Sequence, residues 1–170
     1  MIPNLISLLR IALVFPIILC LIINNLFLAF SLFLIGSFTD FLDGYIARYL
    51  NQESLLGANL DLLADKIFVS SLLIFISFHN DNFTFLLMTI LIIARELSIG
   101  TIRQYLLETA RANKAKVNFF GKLKTFFQIL SIGIAILFLD TNLNSIAEIV
   151  IIVTAIISWI SLLNYTHVKS

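Results

Sequence analysis

The sequence has little cysteine, proline, glycine or charge, and each shortage excludes a class of protein. A lone cysteine, Cys20, cannot form an internal disulfide, so nothing implies an oxidising compartment. Two prolines and six glycines among 170 residues exclude a collagen-like or linker-rich chain. The net charge of +1 lacks the basic excess of nucleic-acid-binding proteins, so we expect no nucleic-acid partner.

Charge is the scarcest property of the chain. Charged residues make up only 12% of it and hydrophobic residues 60%, with a mean hydropathy of +1.04. A soluble domain carries about 25% charged residues, so this chain cannot cover itself with a soluble surface. Disorder is excluded too, because disordered chains combine low hydrophobicity with high charge. The composition therefore predicts a protein that lies in the lipid bilayer.

Six stretches are long and apolar enough to cross a bilayer as helices of about 20 residues. They lie at 5–23, 26–49, 55–78, 83–109, 117–139 and 144–165. The connections are short and polar, which makes sequential helices antiparallel neighbours. We therefore predict an all-α, polytopic membrane protein, a six-transmembrane-helix bundle with a single domain over residues 1–170.

The basic residues predict the orientation of this bundle, since Lys and Arg stay on the cytoplasmic side. Arg48 flanks the second loop, the fourth loop carries Arg111, Lys114 and Lys116, and Lys169 lies in the C-terminal tail. The first, third and fifth loops contain no Lys or Arg. Both termini and the second and fourth loops should therefore be cytoplasmic.

Acidic residues are concentrated inside the second and third spans, where ionisable groups are costly and indicate function. One face of the second helix carries, at helical spacing, Asp40, Asp43, Gly44, Ala47 and Arg48. One face of the third carries Gly57, Asp61 and Asp65. Folding the two helices about residue 52 places Asp43 level with Asp61 and Asp40 level with Asp65. At the helical rise, these pairs lie roughly 14–20 Å from the cytoplasmic tip.

Four carboxylates at one level need positive charge to remain ionised. Oxygen ligands without His or Cys favour a hard cation, Mg²⁺ or Mn²⁺, and four acids could hold two ions. Arg48, one turn nearer the water, is placed to meet a phosphate bound by the metal. Two alternatives stay open: the acids pair with Arg48 and Lys66 only to hold the bundle together, or they line an ion or proton pathway.

The stretch from Asp40 to Asp65 is similar to the signature D-x2-D-G-x2-A-R-x8-G-x3-D-x3-D of the CDP-alcohol phosphatidyltransferases, with all eight fixed positions matched. Residues 2–10, 94–97 with Arg103, and 121–125 further resemble the bacterial phosphatidylglycerophosphate synthases of that family. Leu62 stands where that subfamily usually has proline, which removes a helix kink rather than a ligand.

The resemblance implies a six-helix membrane enzyme, usually a homodimer, that uses CDP-diacylglycerol as donor and releases CMP. It would lie in a bacterial-type inner membrane with its active site facing the cytoplasm. Two metal ions would be held by Asp40, Asp43, Asp61 and Asp65. Asp65 would also be the base that takes the proton of the acceptor. The CDP site would be lined by Gly44, Ala47, Arg48 and Gly57.

A second group of cations predicts an acceptor that carries a phosphate, such as glycerol 3-phosphate. The candidate phosphate ligands are Arg95, Arg103, Lys122 and Lys124. Folding the fourth and fifth helices about residue 113 places Arg103 and Lys124 at one depth, roughly 15–17 Å from the tip. Arg95 could equally make interhelical contacts, and its neighbour Glu96 need not pair with it. Arg10 could reach the interface or face the site.

Other functions remain open from the sequence. The same chemistry could use another acceptor, namely inositol phosphate, serine or phosphatidylglycerol. A different class would be a non-catalytic membrane protein, an ion carrier or a scaffold, that keeps the fold.

Overall fold

The computed structural model describes the backbone of residues 2–49, 55–108, 119–139 and 144–167, and side chains within 4–39, 57, 59–102, 121, 123–139 and 145–163. The described backbone forms the helices α1 (Ile2–Ile22), α2 (Leu26–Tyr49), α3 (Leu55–His79), α4 (Phe83–Glu108), α5 (Phe119–Leu137) and α6 (Asn144–His167). The all-α prediction is confirmed, and each helix end lies within about three residues of its predicted position.

Local sequence explains the tight turns after α1 and α3. Asn24 and Asp81 adopt left-handed backbone conformations, with φ of 57° and 45°. Short polar side chains tolerate this region, which ends a helix within one residue. Asn82 then caps α4, because its Oδ1 accepts a hydrogen bond of 2.9 Å from the Thr84 amide. These turns pair α1 with α2 and α3 with α4, as predicted for short loops.

The helices pack around an apolar core. α1 lies against α2 and α3, α4 against α3 and α6, and α5 against α6 and α2. Phe33 of α2 and Phe68 of α3 stack with ring centroids 5.9 Å apart. Ile17, Leu72 and Ile136 are fully buried in the same cluster. The same cluster includes Ile92 of α4 and Ile151 of α6, so the core joins all six described helices.

The surface is apolar while several charged groups are buried, the reverse of a soluble protein. Phe78 is 85% exposed and Phe27 79%, whereas Arg10 is fully buried. Within the described residues, three helical stretches are long and apolar enough to cross a membrane, namely Asn4–Ile22, Phe83–Ile102 and Ser145–Leu163. Shorter apolar helical stretches run over Leu26–Thr39 and Leu123–Leu137. Among the residues that the structure describes, length and composition thus support three spans, and the six-span topology remains a prediction.

Candidate active site

The α3 half of the acidic motif is built as the spacing predicts. Gly57, Asp61 and Asp65 follow one another at one-turn intervals on the first half of α3. Asp61 keeps 39% of its side-chain surface exposed and Asp65 is half-buried. The two carboxylates therefore lie about one turn apart, with part of their surface open to a ligand.

Phe68 of α3 contacts α2 deeper in the bundle, at Phe33 and at the Gly36 position. A Cβ on Gly36 would lie 2.5 Å from Cζ of Phe68, so the glycine leaves room for the tip of the Phe68 ring. Residues 36 and 68 are equidistant from residue 52, the centre predicted for this hairpin. Asp43 and Asp61 are equidistant from the same residue. The contact at Gly36 is compatible with that centre, and the alignment of Asp43 with Asp61 remains a prediction.

Five of the predicted donor-site residues have side chains outside the described part of the structure. They are Asp40, Asp43, Gly44, Ala47 and Arg48. Their backbone continues α2 as far as Tyr49. Among the described side chains, no group of three or more candidate metal ligands occurs. The described pair, Asp61 and Asp65, offers only carboxylate oxygens, a donor set that fits Mg²⁺ or Mn²⁺.

Arg10 faces the acidic motif. Its Nη1 donates a hydrogen bond of 3.1 Å to Oδ1 of Asp61, which joins α1 to α3. The arginine side chain is only 1% exposed. Of the two expectations for Arg10, the structure supports the one in which it faces the site, and not the one in which it extends to the interface.

A second charged cluster joins α4 to α5. Oε1 of Glu96 accepts a hydrogen bond from Arg95 Nη1 at 2.9 Å and forms an ion pair with Lys124 Nζ at 2.6 Å. All three side chains are at most 12% exposed. The two neighbours on α4 do pair, although their directions on the helix did not require it. Two cations and one anion give these three residues a formal charge of +1.

α6 completes the environment of Arg95. Its Nε donates to the backbone carbonyl of Ser158 at 2.9 Å, and its Nη2 donates to Oγ of Ser161 at 3.0 Å. Sequence reasoning missed both serines. Their signal was the spacing of Thr154, Ser158 and Ser161, which repeats every three or four residues and so marks one polar face on an apolar helix. Such small polar residues let membrane helices pack closely.

Lys66 links the two charged regions. It follows Asp65 on α3, and its Nζ lies where a side chain on Gly100 of α4 would begin. Gly100 is one turn beyond Glu96 on α4. The residue that follows Asp65 on α3 therefore contacts α4 one turn from the second charged cluster.

The predicted acceptor residues divide into described and undescribed ones. Arg95 and Lys124 are brought together through Glu96. The side chains of Arg103 and Lys122 lie outside the described residues, so the expected depth match of Arg103 with Lys124 remains a prediction. Arg111, Lys114 and Lys116 also lie outside the described part of the chain.

The fold and the site together define a class of protein. It is a helical membrane protein with two carboxylates one turn apart on α3 and a buried basic cluster on α4 and α5. A sequence model of the CDP-alcohol phosphatidyltransferase family matches residues 1–163. The chain therefore belongs to the CDP-alcohol phosphatidyltransferase family.

Within this family, the chain is similar to several named bacterial proteins. A protein of Haemophilus influenzae named CDP-diacylglycerol–glycerol-3-phosphate 3-phosphatidyltransferase is 35% identical over 143 residues, covering 84% of this chain and 77% of the relative. A protein of the same name from Wigglesworthia glossinidia brevipalpis is 34% identical over 146 residues, covering 85% and 80%. One from Escherichia coli K12 is 31% identical over 135 residues, covering 78% and 74%.

Proposed function

We propose that this chain transfers a phosphatidyl group from CDP-diacylglycerol to sn-glycerol 3-phosphate, which yields phosphatidylglycerophosphate and CMP. The observation that carries the proposal is the half-buried pair Asp61 and Asp65, one turn apart on α3. Relatives that bear the name of this enzyme match most of the chain.

The donor site, in this proposal, lies between α2 and α3. Four carboxylates, Asp40, Asp43, Asp61 and Asp65, would hold two Mg²⁺ or Mn²⁺ ions. Such ions neutralise charge on a diphosphate and on the departing CMP. Arg48 would bind a phosphate of the donor, because a guanidinium matches phosphate oxygens. Gly44, Ala47 and Gly57 would leave room for the cytidine part.

The residues of the chain position the reactants and move one proton. Phosphoryl transfer needs alignment and charge neutralisation more than covalent chemistry from the protein. Asp65 would accept the proton of the acceptor hydroxyl as the oxygen of that hydroxyl bonds to the β-phosphorus of the donor. The bond from that phosphorus to the CMP oxygen then breaks, and CMP leaves with the electron pair.

The acceptor phosphate would bind beside α4 and α5. Arg95 and Lys124 carry two positive charges against one negative charge on Glu96, and the excess favours an anion. Arg103 and Lys122 would add further donors to this pocket. The proton transfer requires this pocket to lie within reach of Asp65, and the contact of Lys66, its neighbour on α3, with the Gly100 position of α4 is compatible with that.

We also propose six spans, cytoplasmic termini and a homodimer in the inner membrane. Cys20 is buried, so a Cys20→Ala background suits single-cysteine labelling. In intact cells an impermeant maleimide should label an Asn80→Cys protein and spare a Gln52→Cys protein. The reverse pattern would refute the orientation. Light scattering of the detergent-solubilised protein measures the oligomeric state.

The purified full-length protein tests the reaction directly. We expect CMP release from CDP-diacylglycerol only when glycerol 3-phosphate and Mg²⁺ or Mn²⁺ are both present, and the label of glycerol 3-phosphate should enter the lipid product. Release with inositol phosphate, serine or phosphatidylglycerol instead would refute the acceptor. No turnover with any of these alcohols, beside metal flux into vesicles, would refute an enzymatic function.

A further inference from the structure

Arg10 is a deeply buried cation that contacts the acidic motif. It lies in the third turn of α1, outside the segment Asp40 to Asp65. Its side chain is 1% exposed, and its Nη1 meets Oδ1 of Asp61 at 3.1 Å. Removing an arginine from water is costly, and a buried arginine therefore depends on its anionic partner. Asp61 is that partner in the described contact.

The pair is asymmetric in exposure. The guanidinium is enclosed, whereas 39% of the Asp61 side chain remains accessible. Arg10 of α1 therefore contacts the carboxylate from the protein interior, while part of the Asp61 side chain stays accessible. Ligating carboxylates commonly rely on such a hydrogen-bonded partner, which fixes their orientation.

The second half of α1 packs through apolar residues that take no part in this ion pair. In the second half of the helix the buried residues are Ile17, Cys20 and Leu21, all apolar and all part of the core. In the first half the buried residues, among those whose side chains are described, are Ser7 and Arg10. α1 thus turns an apolar face to the core at one end and a polar face to Asp61 at the other.

We propose that Arg10 is a positioning residue of the acidic centre: its guanidinium fixes the Asp61 carboxylate in the orientation that binds the divalent cation. The inference rests on the proposed function, because it concerns the metal that the four acids would hold. It adds a residue of α1 to a site otherwise built from α2 and α3.

The test compares Arg10→Met and Arg10→Lys with the wild type and with Leu9→Ala, a control at the adjacent, half-exposed position. Free Mn²⁺ is titrated by electron paramagnetic resonance on the purified full-length protein without substrates. Arg10→Met should weaken Mn²⁺ binding by about 10–100-fold, the usual effect of losing such a partner. Arg10→Lys should give an intermediate affinity, since its ammonium ends one bond short of Nη1.

The proposed role of Arg10 can fail in three ways. Wild-type Mn²⁺ affinity in folded Arg10→Met would overturn it and leave Arg10 as a contact between helices. If Arg10→Met does not fold, wild-type affinity in Arg10→Lys overturns it equally. In an Asp61→Asn background, Arg10→Met should change Mn²⁺ affinity no further, and an additional loss would contradict action through Asp61. A wild-type protein that binds no Mn²⁺ would refute the proposed metal centre instead.

Discussion

Glu96 is the anion between two buried cations, and its removal should destabilise the bundle. Glu96→Gln keeps the size of the side chain and removes the charge that Arg95 and Lys124 share. Breaking a buried ion pair from one side typically costs about 3–5 kcal/mol. The glutamine oxygen can still accept one hydrogen bond, and Arg95 keeps its bonds to α6. We therefore expect the lower end, about 3 kcal/mol.

Thermal unfolding of the detergent-solubilised protein measures this effect. In a chain of 150–250 residues each kcal/mol shifts the Tm by roughly 2–4 °C, so Glu96→Gln should lower it by roughly 6–12 °C. Glu148→Gln is the matched control, since Glu148 is a half-buried acid on α6 outside the cluster. The change there should stay within about 0.5 kcal/mol.

A double variant tests the reasoning more sharply than the single one. Combining Glu96→Gln with Lys124→Met removes the anion together with one of its two cations. Removing both members of a buried ion pair is often much less costly than removing one. Glu96→Gln combined with Lys124→Met should therefore have a higher Tm than Glu96→Gln alone. Two additive losses, or a Glu96→Gln protein as stable as the wild type, would refute the view that Glu96 stabilises this cluster by offsetting the charge of its cations.

Three further predictions test the site and the packing. Asp65→Asn should abolish CMP release while the Tm stays within a few degrees of the wild type, and near-normal turnover would refute its role as base. Lys124→Ala should raise the KM for glycerol 3-phosphate more than the KM for CDP-diacylglycerol, and equal changes would argue against an acceptor pocket there. Gly36→Ala should lower the free energy of unfolding by about 1–3 kcal/mol, because its methyl group meets the Phe68 ring. Ile35→Ala, at the adjacent exposed position, should change the Tm less.

The sequence predicted the helices well, for a physical reason. Long apolar runs must form helices in lipid, since every backbone polar group needs an internal partner. Residue 52 follows as the centre of the hairpin from where those runs end. The contact of the Phe68 ring with the Gly36 position is compatible with that centre. The alignment of Asp43 with Asp61 by the same count remains a prediction.

The contact partners of individual side chains were harder to predict than the positions of the helices along the chain. Arg10 had two equally acceptable positions, because a long cation at a helix end can reach water or an internal acid. Only the packing of α1 on α3 decides between them. The pairing of Arg95 with Glu96 depended likewise on α5, whose Lys124 reaches the same carboxylate. Periodicity within one helix carries no information about which other helix lies opposite.

Many of the buried polar residues share one end of the bundle, and this explains how an apolar protein can hold a charged site. Ser7 and Arg10 lie in the first half of α1, Lys124 near the start of α5, and Ser158 and Ser161 in the second half of α6. Because successive helices alternate in direction, these halves point the same way as the acids at the start of α3. The opposite end holds the aromatic and aliphatic core. Substitutions in that core should therefore change stability with little effect on KM, whereas substitutions at the polar end should affect both.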